Sequence, residues 1–273
     1  MGLAATGAVE AGAMAYATRV EPGWVEIRRL RLTLPRLHRN FHGYRVVQVS
    51  DFHLGEWRVG PLLDRAVQLV NDLHPDLIAV TGDFVTRTYD GADAELVPAL
   101  RRFHAPDGVV AVLGNHDYWG IPGHGIVRRI INESGLIDLN NKVYTLDRQG
   151  ALLHIAGVDS VREGMDRLDL VLKRLPAEGA ALLLAHEPDF ADTSAATGRF
   201  DLQLSGHSHG GQIVIPFVGP PHLPPLGRKY HTGLYKVGDM LQYTNRGLGV
   251  VGVPVRFWCR PEITMFTLQA PDC

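Results

Sequence analysis

Aspartate, histidine and asparagine residues recur in this sequence with the spacing of metal ligands. Asp51 and His53 are separated by one residue, and so are His207 and His209. Because alternate residues of an extended chain point to the same side, each pair can bind a single ion. The set is completed by three further motifs: Gly82-Asp83, Gly114-Asn115-His116-Asp117 and His186-Glu187.

The ligand types predict which metals and which reaction these motifs serve. Carboxylate, imidazole and amide groups without thiolate suit Mn²⁺, Fe or Zn²⁺ rather than Cu(I) or Ca²⁺. The two cysteines, Cys259 and Cys273, form no Cys-x-x-Cys pair, which argues against a thiolate zinc site and a disulfide framework. Two ions about 3.5–4 Å apart can share a hydroxide and hold both the attacking and the departing oxygen of an in-line displacement.

Each motif also has a purely structural explanation. Asp-x-His can end a strand and cap a helix, Gly-Asp and Gly-Asn-His can form turns, and His186 can be a buried histidine with its hydrogen bonds satisfied. Five such motifs in order, each after an apolar run, favour one common site over five separate coincidences.

The apolar runs that precede the motifs have the character of buried strands. Open α/β sheets form their sites outside the carboxyl ends of such strands, which is where five of these six runs carry a motif. The runs are 44–49, 77–80, 109–113, 152–158, 181–185 and 202–204.

Helical periodicity separates several of these runs. It is strongest over 61–73, where Pro61 suits a first helical turn, and weaker over 92–103, 126–132 and 166–175. Strands that alternate with helices predict an α/β layered fold with buried sheets. Three later strands without intervening helices predict an antiparallel closing element at 234–237, 241–244 and 263–268.

Length and composition indicate one large domain. The 273 residues are 45% hydrophobic and 21% charged, as in a globular protein, and no linker or repeat divides them. We therefore assign 1–43 to an N-terminal segment with an edge strand and 44–273 to the catalytic domain. Lys plus Arg (27) nearly balances Asp plus Glu (29), which argues against an extended nucleic-acid substrate.

Two interpretations of the N-terminal segment stay open. Residues 1–18 contain no Lys or Arg and one acid, Glu10, which favours a surface-packed helix over the tail of a membrane or export segment. Five arginines interleaved with leucines follow between Arg28 and Arg39. They favour an edge strand with a solvated basic face, and the alternative is a strip that binds anionic lipid headgroups weakly.

Taken block by block over 46–212, the motifs resemble the calcineurin-like metallophosphoesterase superfamily. Further segments resemble a bacterial branch of membrane-associated phosphodiesterases, some of which hydrolyse the pyrophosphate of UDP-diacylglucosamine in lipid A synthesis. Those segments are 226–230, 233–235 and 254–257. The resemblance implies a four-layer α/β/β/α sandwich with two central mixed sheets and a di-metal site at strand ends. It also implies a protein peripheral to the bacterial inner membrane or cytoplasmic, with export as a further alternative.

The resemblance also implies a role for each motif residue. Asp51, His53 and His209 are expected to bind one metal. The other is expected to be bound by Asn115, His186 and His207, with Asp83 bridging the two. His116 is expected to donate a proton or hydrogen bond to the phosphoryl group or leaving oxygen. Asp117 either orients that imidazole or caps the loop, and both roles stay open.

Substrate recognition is the least determined property. Trp57 and the loop 217–226, with its prolines, either wall an apolar pocket or cover the sheet edge. Arg228 and Lys229 either bind a second phosphate or lie in solvent. The predicted function is a phosphodiesterase or pyrophosphatase acting on a phosphorylated lipid or nucleotide-sugar lipid such as UDP-diacylglucosamine. The alternatives are a broad phosphomonoesterase or nuclease and a catalytically silent metal-binding scaffold.

Overall fold

A computed structural model describes residues 12–55 and 60–271, and it contains two six-stranded sheets. The first sheet has the strand order β1-β12-β2-β3-β4-β5 and the second has the order β10-β11-β9-β8-β7-β6. The strands of the first sheet are β1 (Glu26–Thr33), β2 (Arg45–Val49), β3 (Leu77–Thr81), β4 (Val109–Val112), β5 (Ile137–Asp138) and β12 (Glu262–Gln269). Those of the second are β6 (Lys142–Arg148), β7 (Ala151–Gly157), β8 (Ala180–Leu184), β9 (Leu202–Ser205), β10 (Gly233–Val237) and β11 (Met240–Thr244).

Both sheets are mixed. Strands β2 to β5 run parallel, while β12 is antiparallel to β2 and parallel to β1. In the second sheet β7, β8, β9 and β11 are parallel, and the edge strands β6 and β10 are antiparallel to their neighbours. Parallel strands align their carboxyl ends along one edge, and this edge carries the predicted motifs.

Helices cover the outer faces of the two sheets. Five helices are α1 (Gly60–Asp72), α2 (Ala92–Leu100), α3 (His124–Glu133), α4 (Leu168–Arg174) and α5 (Ala191–Ala196). The first three pack on the first sheet through residues such as Leu63, Leu96 and Val127, and the last two pack on the second through Val171 and Ala191. A third apolar cluster fills the space between the sheets. The predicted sandwich of two mixed sheets flanked by helices is confirmed.

The C-terminal strands differ in part from the expected closing element. Strands β10 and β11 pair antiparallel as predicted, but β12 crosses to the first sheet between β1 and β2. The reason is that β12 is apolar on both faces: Ile263 packs under the helices and Phe266 packs between the sheets. A strand with two apolar faces is most stable in the interior of a sheet.

The N-terminal region ends in the predicted edge strand. Strand β1 lies at the edge of its sheet, with Arg28, Arg29 and Arg31 exposed. Before it, residues 12–23 form helical turns, and the buried Glu21 accepts hydrogen bonds from the backbone N–H groups of Trp258 and Cys259. In the parts of the chain that the structure describes, no helix is long and apolar enough to cross a membrane.

Candidate metal centre

The predicted motifs meet at the carboxyl ends of five strands. Asp51 follows β2, Asp83 follows β3 and Asn115 follows β4 in the first sheet. His186 follows β8, and His207 follows β9 in the second sheet. The site therefore lies where the two parallel edges face each other, and each sheet supplies part of it.

The backbone at the site has an unusual conformation. Asp51, His53, Asp83, His207 and His209 all have positive φ angles, between 50° and 71°. Such angles are uncommon for residues other than glycine and cost about 1–3 kcal/mol each. The strands that precede these residues fix the conformation, and it turns the polar side chains of successive loops towards one point.

Two glycines leave room for the carboxylates. A Cβ atom on Gly206 would collide with Asp51, and one on Gly114 would collide with Asp83. Gly114 and Gly206 are thus required because they lie close to the two aspartates, and not because of a positive φ of their own.

The first cluster of ligand atoms consists of Asp51, His53 and His209. The two imidazole Nε2 atoms lie 3.0 Å apart, and Asp51 Oδ1 lies 3.4 Å from His209 Nε2 and 3.8 Å from His53 Nε2. All three residues are buried. Their ligand atoms are close enough together to bind a single ion.

The second cluster consists of Asp83, His186 and His207, and Asn115 lines the same cavity as His207. His186 Nδ1 donates to the carbonyl of Thr81 at 2.7 Å and His207 Nε2 donates to the carbonyl of Pro225 at 2.8 Å. When each ring is neutral, its other nitrogen presents a lone pair. Asp83 joins the clusters, because its Oδ2 lies 3.1 Å from His186 Nε2 and 3.5 Å from His53 Nε2.

Unpaired polar atoms show that this site fits metal ions. Among the described residues, both side-chain polar atoms of Asn115 and the Nε2 atom of His186 are buried without a hydrogen bond. Buried polar atoms almost always have partners, so three such atoms in one place indicate a ligand. The donor set of carboxylate, imidazole and amide matches divalent cations such as Mn²⁺, Fe or Zn²⁺.

The electrostatics of the site also favour cations. Burial alone would raise the pKa of Asp51 and of Asp83, but the neighbouring imidazoles outweigh it and hold both pKa values below their usual range. Burial opposes the protonation of His186, yet the charge of Asp83 raises its pKa. Burial lowers the pKa of His209, although the charge of Asp51 acts in the opposite direction. The site therefore concentrates negative charge and lone pairs, which divalent ions neutralise.

His116 lies beside both clusters. Its Nδ1 donates to the carbonyl of Thr86 at 2.8 Å, so the opposite nitrogen carries the lone pair of the neutral ring. The ring packs edge-on against His53 at 4.7 Å and tilted against Trp119 at 4.2 Å between centroids. Its backbone N–H donates to Asp83 Oδ1 at 2.9 Å. The side chain is half-buried and borders the cavity at the site.

Asp117 binds backbone rather than the imidazole of His116. Its carboxylate accepts four backbone N–H groups at 2.8–3.2 Å, from Asp83, Phe84, Val85 and Gly114. Burial and the Asp83 charge raise its pKa, while the amide hydrogen bonds act in the opposite direction. Of the two roles considered for Asp117, these contacts favour the one in which it clamps the loops after β3 and β4.

A cavity of about 270 Å³ opens onto the two clusters. One part of its wall is polar and includes Asn115, His116 and Arg162, while an apolar part includes Ile213 and Val253. Of the residues predicted to bind substrate, Pro221 and Pro224 of the 217–226 loop line it, whereas Arg228 and Lys229 do not. Lys229 instead forms an exposed ion pair with Asp192 at 2.7 Å, and Arg228 bonds through its side chain to the carbonyl of Leu223 at 3.4 Å. Trp57 lies outside the described residues.

Two arginines near the ligand clusters were not predicted from the sequence. Arg162 follows β7. The apolar run that predicted this strand was the only one of the six without a motif at its carboxyl end, and this could have drawn attention to the residues that follow it. Arg256 is fully buried and its guanidinium donates to four backbone carbonyls. Its Nη2 lies 3.4 Å from His209 Nδ1. The carbonyls belong to Arg246, Gly247, Gly249 and Cys259.

Fold, ligand clusters and sequence together define a metal-dependent phosphoester hydrolase. Residues 44–211, more than half of the chain, match the calcineurin-like phosphoesterase family, and the chain belongs to that family.

Individual relatives extend the similarity to almost the whole chain. The chain is 37% identical over 275 residues to the uncharacterized metallophosphoesterase YkuE of Bacillus subtilis, covering 99% of this chain and 95% of the relative. It is 30% identical to the phosphodiesterase YaeI of Escherichia coli, covering 97% and 96%. The solved NAD nucleotidase of Haemophilus influenzae shares the fold, with a TM-score of 0.51 and 13% identity over 75% of this chain and 45% of that one.

Proposed function

We propose that this protein hydrolyses phosphodiesters at a two-metal centre. The observation that carries this proposal is the pair of ligand clusters joined by Asp83 at the bottom of one cavity. Asp51, His53 and His209 would hold one ion, and Asn115, His186 and His207 the other. When bound, the ions supply Lewis acidity, which stabilises charge on phosphoryl oxygens and lowers the pKa of water. Similarity to a protein named as a phosphodiesterase supports the reaction class.

The protein groups around this centre position the substrate and handle a proton. His116 presents one ring nitrogen to the cavity because Thr86 binds the other. When protonated at that nitrogen, the imidazole donates to the phosphoryl group or to the leaving oxygen. Asp117 holds the loops that carry Asp83 and Asn115 in register. The apolar part of the wall excludes water from one side of the reacting group.

For the substrate we propose a diester or pyrophosphate with one apolar substituent. Ile213, Pro221, Pro224 and Val253 line one side of the cavity. Beyond them Phe217 is fully exposed at the tip of a hairpin closed by backbone hydrogen bonds between Ile215 and Gly219. A phosphorylated lipid or a nucleotide-sugar lipid such as UDP-diacylglucosamine has this chemistry. Exposed apolar groups beside a site support an apolar ligand.

Hydrolysis should depend on added metal and should favour diesters. Chelation is expected to abolish turnover of bis-p-nitrophenyl phosphate, and Mn²⁺, Zn²⁺ or Fe²⁺ is expected to restore it, because the ligands provide no other Lewis acid. The rate is measured beside that of p-nitrophenyl phosphate on the same loaded protein. Full activity without metal contradicts the proposal. A faster monoester identifies a phosphomonoesterase, and two bound metals without turnover identify a silent scaffold.

Membrane association is proposed as weak and electrostatic. The exposed Arg28, Arg29 and Arg31 of β1 are expected to bind vesicles that contain anionic lipid, with binding lost as salt screens charges beyond about 8 Å. Co-sedimentation should fall when all three are changed to Gln. The control replaces three exposed cations elsewhere, Lys173, Arg174 and Lys236, with Gln. Equal loss in both variants, or loss in neither, means that the β1 arginines do not form a lipid-binding strip.

A further inference from the structure

Arg162 occupies the polar side of the cavity without an assigned role. It lies five residues beyond the end of β7 and lines the cavity together with Asn115, His116 and His207. Its position corresponds to that of the metal-binding motifs, at the carboxyl end of a parallel strand, but a guanidinium is cationic and does not bind metals. A cation at this place instead suits an anionic part of the substrate.

The backbone at Arg162 is held rigidly by Glu187. This buried carboxylate accepts from the N–H of Arg162 at 3.2 Å, from the N–H of Val161 at 3.0 Å and from the hydroxyl of Ser160 at 2.7 Å. Because Glu187 directly follows His186 in the chain, Glu187 connects the second ligand cluster to the loop that carries Arg162. A side chain on a fixed backbone loses little entropy when it binds a ligand.

The guanidinium of Arg162 is also oriented, because it lies over the ring of Trp119 at 5.5 Å. The indole N–H of Trp119 donates to Glu163 at 3.2 Å, which fixes the ring. Trp119 in turn packs against His116, and His116 packs against His53. Along this stack, the rings of Trp119 and His116 lie between the guanidinium and His53.

No carboxylate in the described part of the chain forms an ion pair with Arg162. Three carboxylates of the surrounding loops have other partners: Glu187 binds backbone N–H groups, Glu163 binds the indole and Asp159 pairs with Arg128 at 2.6 Å. An oriented guanidinium without a carboxylate partner can bind phosphate or carboxylate through two parallel hydrogen bonds.

We propose that Arg162 binds a second anionic group of the substrate, a phosphate or a carboxylate, beside the phosphoryl group that reacts. The proposal rests on the proposed function, since it takes the phosphoryl group that reacts to bind at the two ligand clusters joined by Asp83. Because the Trp119 and His116 rings lie between Arg162 and His53, we assign the two anions to different groups. The cavity of about 270 Å³ is just below the usual range for small-molecule pockets, and it holds these two groups while the rest of the substrate extends past the rim.

Three small phosphonates test this assignment by calorimetry on the metal-loaded protein at fixed free metal. Ethylphosphonate carries one anionic group, phosphonoacetate adds a carboxylate and methylenediphosphonate adds a second phosphonate. Arg162→Gln is expected to weaken at least one of the two-anion ligands about 10–100-fold and to leave ethylphosphonate unchanged, because one charge-assisted bidentate contact is lost. The ligand that loses more identifies the anion. Arg162→Lys should retain part of the affinity, since it keeps charge without the planar fork.

Arg174→Gln is the matched control, an exposed arginine on α4 away from the cavity, and it should change none of the three affinities. Equal weakening of all three ligands by Arg162→Gln would mean that Arg162 binds the reacting phosphoryl group, which overturns the proposal. Unchanged affinity for both two-anion ligands overturns it as well. Because binding is measured without turnover, the assignment of Arg162 is decided even if the loaded protein hydrolyses neither nitrophenyl ester and the proposed function fails.

Discussion

Asp83→Ala is expected to lose both metal ions and all measurable hydrolysis. The Oδ2 atom of Asp83 is within 3.5 Å of an imidazole nitrogen of each cluster, so one carboxylate serves both ions. Removing it leaves two cations facing each other without the shared negative charge. Loss of an outer partner of a metal ligand typically weakens binding 10–100-fold, and we expect loss of this shared ligand to exceed about 100-fold.

Metal content and thermal stability measure this effect without reference to turnover. The wild-type protein should bind two ions and gain stability when they are added, because a ligand that binds only the folded state stabilises it. The variant should show neither effect. Asp201→Ala is the control, since Asp201 is also a buried carboxylate but lies at the amino end of β9 and binds Arg36 at 3.1 Å. It should lose stability and keep two ions. Two ions retained in Asp83→Ala would refute the bridging role.

The ligands of this centre are predictable because strand direction alone places them together. Each motif follows an apolar run, and the carboxyl ends of parallel strands share one edge. The same argument predicted Asp83 from a single Gly-Asp pair, which has little information by itself. What the sequence does not contain is the positive φ of Asp51, His53, Asp83 and His209, because this conformation is uncommon for every residue except glycine, although Asp and His adopt it more often than most. Tertiary contacts impose that conformation.

Side chains that act through long-range contacts were beyond sequence reasoning. Arg256 stands in a segment noted only for its resemblance, and its burial depends on carbonyls of the 246–249 loop. Lys229 and Arg228 are cations next to an aromatic residue. This pattern is typical of phosphate-binding sites and equally typical of solvent-exposed surfaces. The difference is made by Asp192, which takes the Lys229 ammonium through an ion pair across 37 positions of sequence.

For Asp117 the sequence allowed two roles, to orient the imidazole of His116 or to cap the loop, and the hydrogen bonds of the folded chain favour the second. Its position next to His116 suggested that it orients the imidazole. In the folded chain it accepts four backbone N–H groups from two loops, and the imidazole is instead held by the carbonyl of Thr86. Adjacency in sequence does not determine which partner a buried carboxylate takes, because turns direct consecutive side chains apart.

His116→Ala is expected to keep both metal ions and to lose about 10²–10⁴ in turnover. Metal retention follows from the backbone, since the N–H of residue 116 rather than its side chain binds Asp83 Oδ1. The structure also supplies the competing hypothesis: ligand atoms of His53, Asp83 and His116 lie close enough together to bind an ion themselves. The substitution separates the two hypotheses, because a ligand and a proton donor differ in what their loss removes.

The decisive measurement combines metal content with rates on two kinds of ester. If His116 protonates the leaving oxygen, esters with poor alkoxide leaving groups should slow more than p-nitrophenyl esters, whose phenolate departs with little help. Substrate affinity should change little, because the interaction strengthens mainly in the transition state. His104→Ala is the control, since His104 is exposed and does not line the cavity, and it should retain activity on both esters.

Each outcome assigns His116 to one role. Metal lost in proportion to activity makes His116 a ligand, and the assignment of the clusters then requires revision around His53 and Asp83. Metal retained with both ester types slowed equally means that the imidazole positions the phosphoryl group and does not deliver the proton. Metal retained with a larger loss on alkyl esters identifies proton donation to the leaving oxygen. That result would fit a ring whose free nitrogen faces the cavity because Thr86 holds the other.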